Sequence, residues 1–218
     1  MPGRAAAGSV TPGLQSLESG PRGGLLYVPK SYKPSEPLPL LVLLHASGGS
    51  SSDWFGSYAR RAESARIIVA APDCLHKTWG AGPKDYGGDA AAINRALALV
   101  ASRCAIDRKR LAIGGFSDGA SYALSMGIAN GDLFTNVIAF APGYFIGKPR
   151  RGNPAIFIAH GVFDEILPVD DCSRRFVPSL RQAGYPVEYR EFFNKHEVSD
   201  AMSSQAISWL QAGFAAAR

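Results

Sequence analysis

The chain has 218 residues, 46% hydrophobic and 19% charged, which suits one globular domain with an ordinary core. Its formal net charge of +5 is modest and spread along the sequence, and no groove-reading motif accompanies it, which argues against a nucleic-acid partner. The apolar runs are too short to span a membrane.

Residues 1–20 are rich in Gly, Pro, Ser and Ala and contain no apolar signal-peptide core. They read as a disordered lead-in, or the remnant of a targeting segment, before a single domain over 21–218. Leu25–Val28 reads as a short strand closed by Pro29. The continuous apolar run Leu38–His45 fits a strand covered on both faces. A helix is predicted from Trp54 to Ala65 with Asp53 as N-cap, and a buried strand over Ile67–Ala71.

Asp89–Cys104 carries Ile93, Leu97 and Val100 at helical spacing, with Asp89 as N-cap. A strand over 110–115 and a helix from Asp118 to about Asn130 follow. Asn136–Ala141 and Ala155–His160 are strand-like, and the short stretch between them leaves no room for a large cap domain. Val169–Ala183 reads as a helix that Pro178 kinks or breaks. Val187–Phe192 is a last strand, and Val198–Ala216 a C-terminal helix with Ile207, Leu210 and Phe214 on one face. Strands alternating with helices predict an α/β fold with a mostly parallel, doubly wound sheet and flanking helices.

The three cysteines, Cys74, Cys104 and Cys172, form no C-x-x-C pair. An odd, sparse set points to a reducing compartment, the cytoplasm, and to cysteines acting as small buried hydrophobes. No metal-binding cluster or phosphate-loop spacing is present, so neither metal nor cofactor is expected. The basic cluster Lys148-Pro149-Arg150-Arg151 reads as a solvated loop.

Gly115-Phe116-Ser117-Asp118-Gly119 is a G-x-S-x-G run between a predicted strand and a predicted helix. There a serine sits on a turn too sharp for ordinary backbone angles, with its hydroxyl pushed out above the sheet. A side chain at 115 or 119 would collide with neighbouring backbone. A serine hydroxyl needs a base, and the base an orienting acid. Of the four histidines, only His160 and His196 follow Ser117. His196 lies just past the last strand, at the carboxyl edge of the sheet where ligands bind, and is assigned as the base. Asp164, in the loop after the 155–160 strand, is assigned as the acid; Glu165, Asp170 and Asp171 read as rim or cap residues.

The oxyanion hole needs two backbone N–H groups. One is assigned to Asp118 and the second to Ser47, with Ala46 the alternative, in His45-Ala46-Ser47-Gly48-Gly49-Ser50. His45 reads as a residue that steadies this loop. Trp54, Trp79, Phe145, Phe163 and Ile166 are candidate substrate-binding residues. Phe55, Tyr86 and Tyr144 lie in the same candidate loops, and the loop from His76 to Pro83 is long and glycine-rich enough to line a pocket.

Together these pieces resemble the phospholipase/carboxylesterase group of α/β-hydrolases, which includes the acyl-protein thioesterases. The matching residues are Leu43-Leu44-His45-Ala46-Ser47-Gly48-Gly49, Gly115-Phe116-Ser117-Asp118-Gly119, His160-Gly161-Val162-Phe163-Asp164 with Pro168, and His196-Glu197-Val198. The resemblance implies a metal-independent esterase or thioesterase that forms an acyl-serine intermediate on Ser117, Asp164 and His196. Its substrate would be a small-molecule ester or thioester of a small to medium acyl group. An amide hydrolase using the same triad and a non-catalytic hydrolase-fold binding module are the alternatives, and monomer and homodimer both stay open. Three residues depart from the family pattern: Ala46 stands where glycine is usual, Asp118 where glutamine is usual before the last elbow glycine, and Ala120 where a further glycine usually follows it.

Overall fold

The structure is a computed structural model that describes residues 10–18, 21–80, 87–147 and 149–216. In chain order its elements are β1 (Gly13–Ser16), β2 (Gly24–Val28), β3 (Leu38–Leu44), α1 (Ser52–Ala65), β4 (Ile68–Pro72), α2 (Gly87–Arg103) and β5 (Ile106–Phe116). They continue with α3 (Asp118–Ala129), β6 (Asn136–Phe140), β7 (Ala155–Gly161), α4 (Ser173–Gln182), β8 (Val187–Phe192) and α5 (Asp200–Ala216). The strands form one eight-stranded sheet in the order β1-β2-β4-β3-β5-β6-β7-β8. From β4 through β8 every pairing is parallel, and β2 and β1 add an antiparallel flank.

The apolar run of β3 is buried at every position because both sheet faces are covered. Leu40, Val42 and Leu44 point into the layer shared with α2, α3 and α4, whose contributions include Ile93, Ala123 and Val177. Leu41 and Leu43 point the other way, onto α1 and α5, against Tyr58, Met202 and Leu210. This alternation is the period-2 geometry of a strand. Helix α3 lies in the layer's centre and is buried from Gly119 to Ala129, so it holds the elbow serine rigidly above the sheet.

Several sequence-based expectations change. The expected lead-in of residues 1–20 includes a strand: β1 pairs with β2, and fully buried Leu17 pins its end while its N–H donates to the Gly24 carbonyl. Residues 1–9, 19 and 20 lie outside the described residues. Asp53 is not the N-cap of α1. Ser51 holds that position without a side-chain cap bond, and Asp53 reaches back to accept the Ser50 N–H at 2.9 Å. Asp89 likewise lies within the first turn of α2, and its carboxylate serves a neighbouring loop instead. β5 starts at Ile106 rather than 110, because an irregularity in its pairing with β3 absorbs the charged residues that hid its start. α4 begins at Ser173 rather than Val169 and runs through Pro178, which sacrifices one backbone hydrogen bond without ending the helix. Lys148 lies outside the described residues.

Candidate active site

β5 delivers Ser117 to the carboxyl edge of the sheet. Ser117 has φ 57° and ψ −118°, a strained conformation for a residue with a side chain, held by its N–H donating to the Phe140 carbonyl at 2.9 Å. The turn closes only because two glycines flank it. A Cβ on Gly115 would lie 2.7 Å from the Leu44 carbonyl oxygen, and one on Gly119 would strike the carbonyls of Leu44 and His45.

Two loops at the same edge meet the serine. The β7–α4 loop carries Asp164, and the loop after β8 carries His196. The second loop packs directly on Gly161, where a Cβ would strike the Asn194 and Lys195 carbonyls. The Val162 N–H donates to Phe192, and the Phe163 N–H to Asn194, which locks the two loops together. His196 Nδ1 donates to Asp164 Oδ2 at 2.6 Å, and its Nε2 stands 2.9 Å from Ser117 Oγ. The carboxylate fixes the proton on Nδ1 and leaves Nε2 free to accept from the hydroxyl. The Phe116 ring packs against the imidazole, 4.7 Å between centroids.

Asp164 is buried and fully occupied. Its Oδ1 accepts the N–H groups of Ile166 at 2.9 Å and Leu167 at 2.8 Å. Burial alone pushes this carboxyl up, but the Leu167 amide, His196 and the Ile166 amide outweigh it and hold the group below the usual carboxylate range.

The loop after β3 is braced on several sides. His45 is buried; its Nδ1 donates to the Ala46 carbonyl at 2.7 Å, and its Nε2 accepts the Cys74 N–H at 3.2 Å. The Gly48 N–H donates to Lys77 at 2.6 Å, and Arg22 reaches the Gly49 carbonyl. His45 therefore steadies the loop, as its position implied. Among the described hydrogen bonds, neither the Ser47 N–H nor the Asp118 N–H donates to a protein acceptor. Ser47 is exposed, and Asp118 opens α3, where a helix presents unpaired amides.

The Asp118 carboxylate, unusual in the elbow, has a structural task. Its Oδ2 accepts the Trp79 N–H at 2.8 Å. Asp89 holds the same loop through the N–H groups of Leu75 at 2.7 Å and Gly80 at 2.5 Å. Burial pushes the Asp118 carboxyl up, and the Trp79 amide opposes that rise. Nothing in sequence spacing marks these tethers; a polar residue at the elbow where the family has another is the one available signal.

Two of the candidate substrate-binding residues are corrected. Trp54 is 5% exposed and packs edge-on against Tyr58 and beside Phe140, so it belongs to the core. Trp79 is 2% exposed, donates its Nε1 to the His45 carbonyl at 2.8 Å and lies against Tyr122. One ring lies on the inner face of α1 and the other on the loop after β4, and both found apolar cover below the surface. Phe145 is half-buried and packs edge-on against Phe176. Phe163 and Ile166, which flank Asp164, are 57% and 69% exposed. Phe193, which the sequence did not single out, is exposed too and lies 6.1 Å from the Phe163 ring. Tyr86 and residues 81–83 lie outside the described residues.

Comparison with known proteins agrees with this fold. Residues 16–154, more than half the chain, match the model of the family described as "Putative esterase". "Probable feruloyl esterase C" of Aspergillus terreus is 28% identical over 172 residues, covering 74% of this chain and 61% of that protein. "Feruloyl esterase C" of Emericella nidulans is 28% identical over 179 residues, covering 78% and 64%. The chain thus spans less than two thirds of the length of these curated relatives. In fold it is similar to the fluorophosphonate-binding serine hydrolase FphF of Staphylococcus aureus, with a TM-score of 0.73, 16% identity, and coverage of 92% of this chain and 99% of that one. A parallel sheet flanked by helices, a strained serine elbow and the family match lead to one conclusion: the chain belongs to the esterase family of α/β-hydrolases.

Proposed function

We propose that this protein hydrolyses carboxylic esters through an acyl-serine intermediate. The observation that carries the reading is the unbroken relay from Asp164 Oδ2 through His196 to Ser117 Oγ, with links of 2.6 and 2.9 Å. In this reading His196 Nε2 takes the Ser117 proton as Oγ attacks the carbonyl carbon. The amides of Ser47 and Asp118 receive the oxygen as it becomes negative, each such donor being worth about 3–4 kcal/mol in the transition state. His196 returns the proton to the departing alcohol. Water then repeats the cycle and releases the acid. Asp164 holds the Nδ1 proton and stabilises the transient imidazolium.

The relatives' names support an aromatic or similarly apolar acyl group, and the exposed side chains of Phe163 and Ile166 beside Asp164 offer such a group an apolar flank. Thioesters of comparable acyl groups fit the same mechanism. The sheet is continuous from β1 to β8, which supports a single domain that takes in β1 (Gly13–Ser16) ahead of residues 21–218. Three unpaired, buried cysteines support a reducing compartment, the cytoplasm. Among the described residues, no helix is long and apolar enough to cross a membrane.

The test is labelling with a fluorophosphonate, followed by turnover of p-nitrophenyl acetate, p-nitrophenyl butyrate, methyl ferulate and a matched thioester. Ser117→Ala should abolish both labelling and turnover. Wild-type turnover by Ser117→Ala would refute the assignment.

A further inference from the structure

We infer that His160, a buried histidine outside the relay, is a positioning residue that sets the basicity of Asp164 and thereby the strength of the Asp164–His196 contact. The inference rests on the esterase reading above and extends it to the residues that govern its acid.

His160 ends β7 and is fully buried. Its Nε2 lies 2.8 Å from the Leu167 carbonyl oxygen, which can only accept, so Nε2 carries the proton. Its Nδ1 lies 2.7 Å from Ser173 Oγ and accepts from that hydroxyl, which is itself fully buried at the start of α4. Both ring nitrogens are therefore satisfied by a neutral imidazole of one tautomer. Burial, the largest influence, favours that neutral form and lowers its pKa.

The same Nε2 also lies 3.2 Å from Asp164 Oδ2, a polar contact through which the N–H dipole acts on the carboxylate while its hydrogen bond goes to Leu167. That oxygen is the one that accepts from His196. Asp164 Oδ2 is thus shared by two imidazoles: the reacting one at 2.6 Å and a fixed, buried one at 3.2 Å. A donor aimed at a carboxylate oxygen stabilises the anion and lowers its appetite for a second proton. His160 consequently holds the carboxylate in place and moderates its pull on the His196 Nδ1 proton. The other titratable groups around this cluster are the Cys172 thiol, pushed up by burial, and Glu191 on β8, whose carboxylate Arg174 and Tyr189 engage. Neither donates to Asp164 among the described contacts.

Removing the His160 donor should make Asp164 a stronger acceptor and stabilise the imidazolium form of His196. In His160→Leu the acid limb of the kcat/KM–pH profile should move to higher pH by about half a unit, the size expected for one polar contact weaker than a full hydrogen bond. kcat should fall about tenfold with KM unchanged, because Asp164 loses a fixed contact. The low-field proton resonance of His196 Nδ1, read by NMR on the folded protein, should move further downfield. His160→Gln, whose amide can donate from nearly the same place as Nε2, should restore limb and resonance. A merely structural histidine would lower stability and leave both readouts where they are.

If His160→Leu does not fold, Ser173→Ala gives the second reading. It frees Nδ1 and loosens the ring, and should shift both readouts in the same direction by less. Unchanged limb and resonance in a folded His160→Leu, or in Ser173→Ala when His160→Leu fails to fold, would overturn the inference. So would movement of the limb to lower pH. If the wild type turns over no ester, the esterase reading fails, while the resonance still reports whether His160 couples to Asp164 and His196.

Discussion

Replacing Asp118 separates the two tasks at the elbow. Its backbone N–H is the proposed oxyanion donor, and its carboxylate accepts from Trp79, a residue only 2% exposed. Asp118→Ala keeps the backbone and removes the acceptor. The Trp79 N–H then sits in the interior unpaired, at a cost of about 1–3 kcal/mol. Asp89 still holds the Leu75 and Gly80 amides, so the loop loses one of its three carboxylate tethers and should not detach. For a domain of this size that cost lowers Tm by roughly 2–4 °C per kcal/mol. Asp118→Asn keeps an acceptor for Trp79 and removes a charge that burial already disfavours, so its stability should stay within about 0.5 kcal/mol of wild type. Urea unfolding of the three proteins, followed by far-UV circular dichroism, measures the difference. Ester turnover should change less than about tenfold in both variants, since neither alters the backbone donor. Asparagine as damaging as alanine would refute the reasoning, because the charge and not the acceptor would then matter. Alanine as stable as wild type would refute it equally.

Gly161→Ala places a methyl group against the carbonyls of Asn194 and Lys195 and pushes the His196 loop outward; kcat should fall about a hundredfold or more with little change in KM, measured on a short p-nitrophenyl ester. Acid should destabilise the fold in two stages. His160 and Asp164 are both held below their ordinary values of 6.5 and 3.8, so each contributes stability that is complete above that value and is lost as pH falls beneath it. Urea midpoints that stay level or rise between about pH 7 and about pH 5 would contradict the first stage. The three cysteines are buried, and burial raises all three thiols, Cys104 to about 11. An aromatic disulfide reagent should therefore modify none in the native protein and all three in denaturant.

Much of this protein could be read from its sequence. Leu38–Leu44 announced a strand covered on both faces, since only a doubly layered sheet buries seven successive residues. Gly115 and Gly119 fixed the elbow, because backbone geometry there admits no Cβ, and that requirement is local. The order of Ser117, Asp164 and His196, each just past a strand, followed from the fold class, because parallel strands bring their carboxyl ends to one edge.

What the sequence did not reveal depends on how the folded strands, helices and loops pack on one another. β1 exists because Leu17 finds a buried site and β2 offers a free edge; alone it is a short stretch among glycines and serines. Asp53 and Asp89 looked like N-caps because an acid before an apolar helical pattern usually is one; only the packed loops revealed amides waiting for their oxygens. Trp54 and Trp79 looked like pocket walls, yet burial of their large apolar rings drew both into the core. His160 looked like a residue at a strand end. Only the tertiary structure brought Asp164 back across its own loop, where one carboxylate oxygen meets two imidazoles. Local chemistry determined which residues could react, and long-range packing decided what surrounds them and sets their charge.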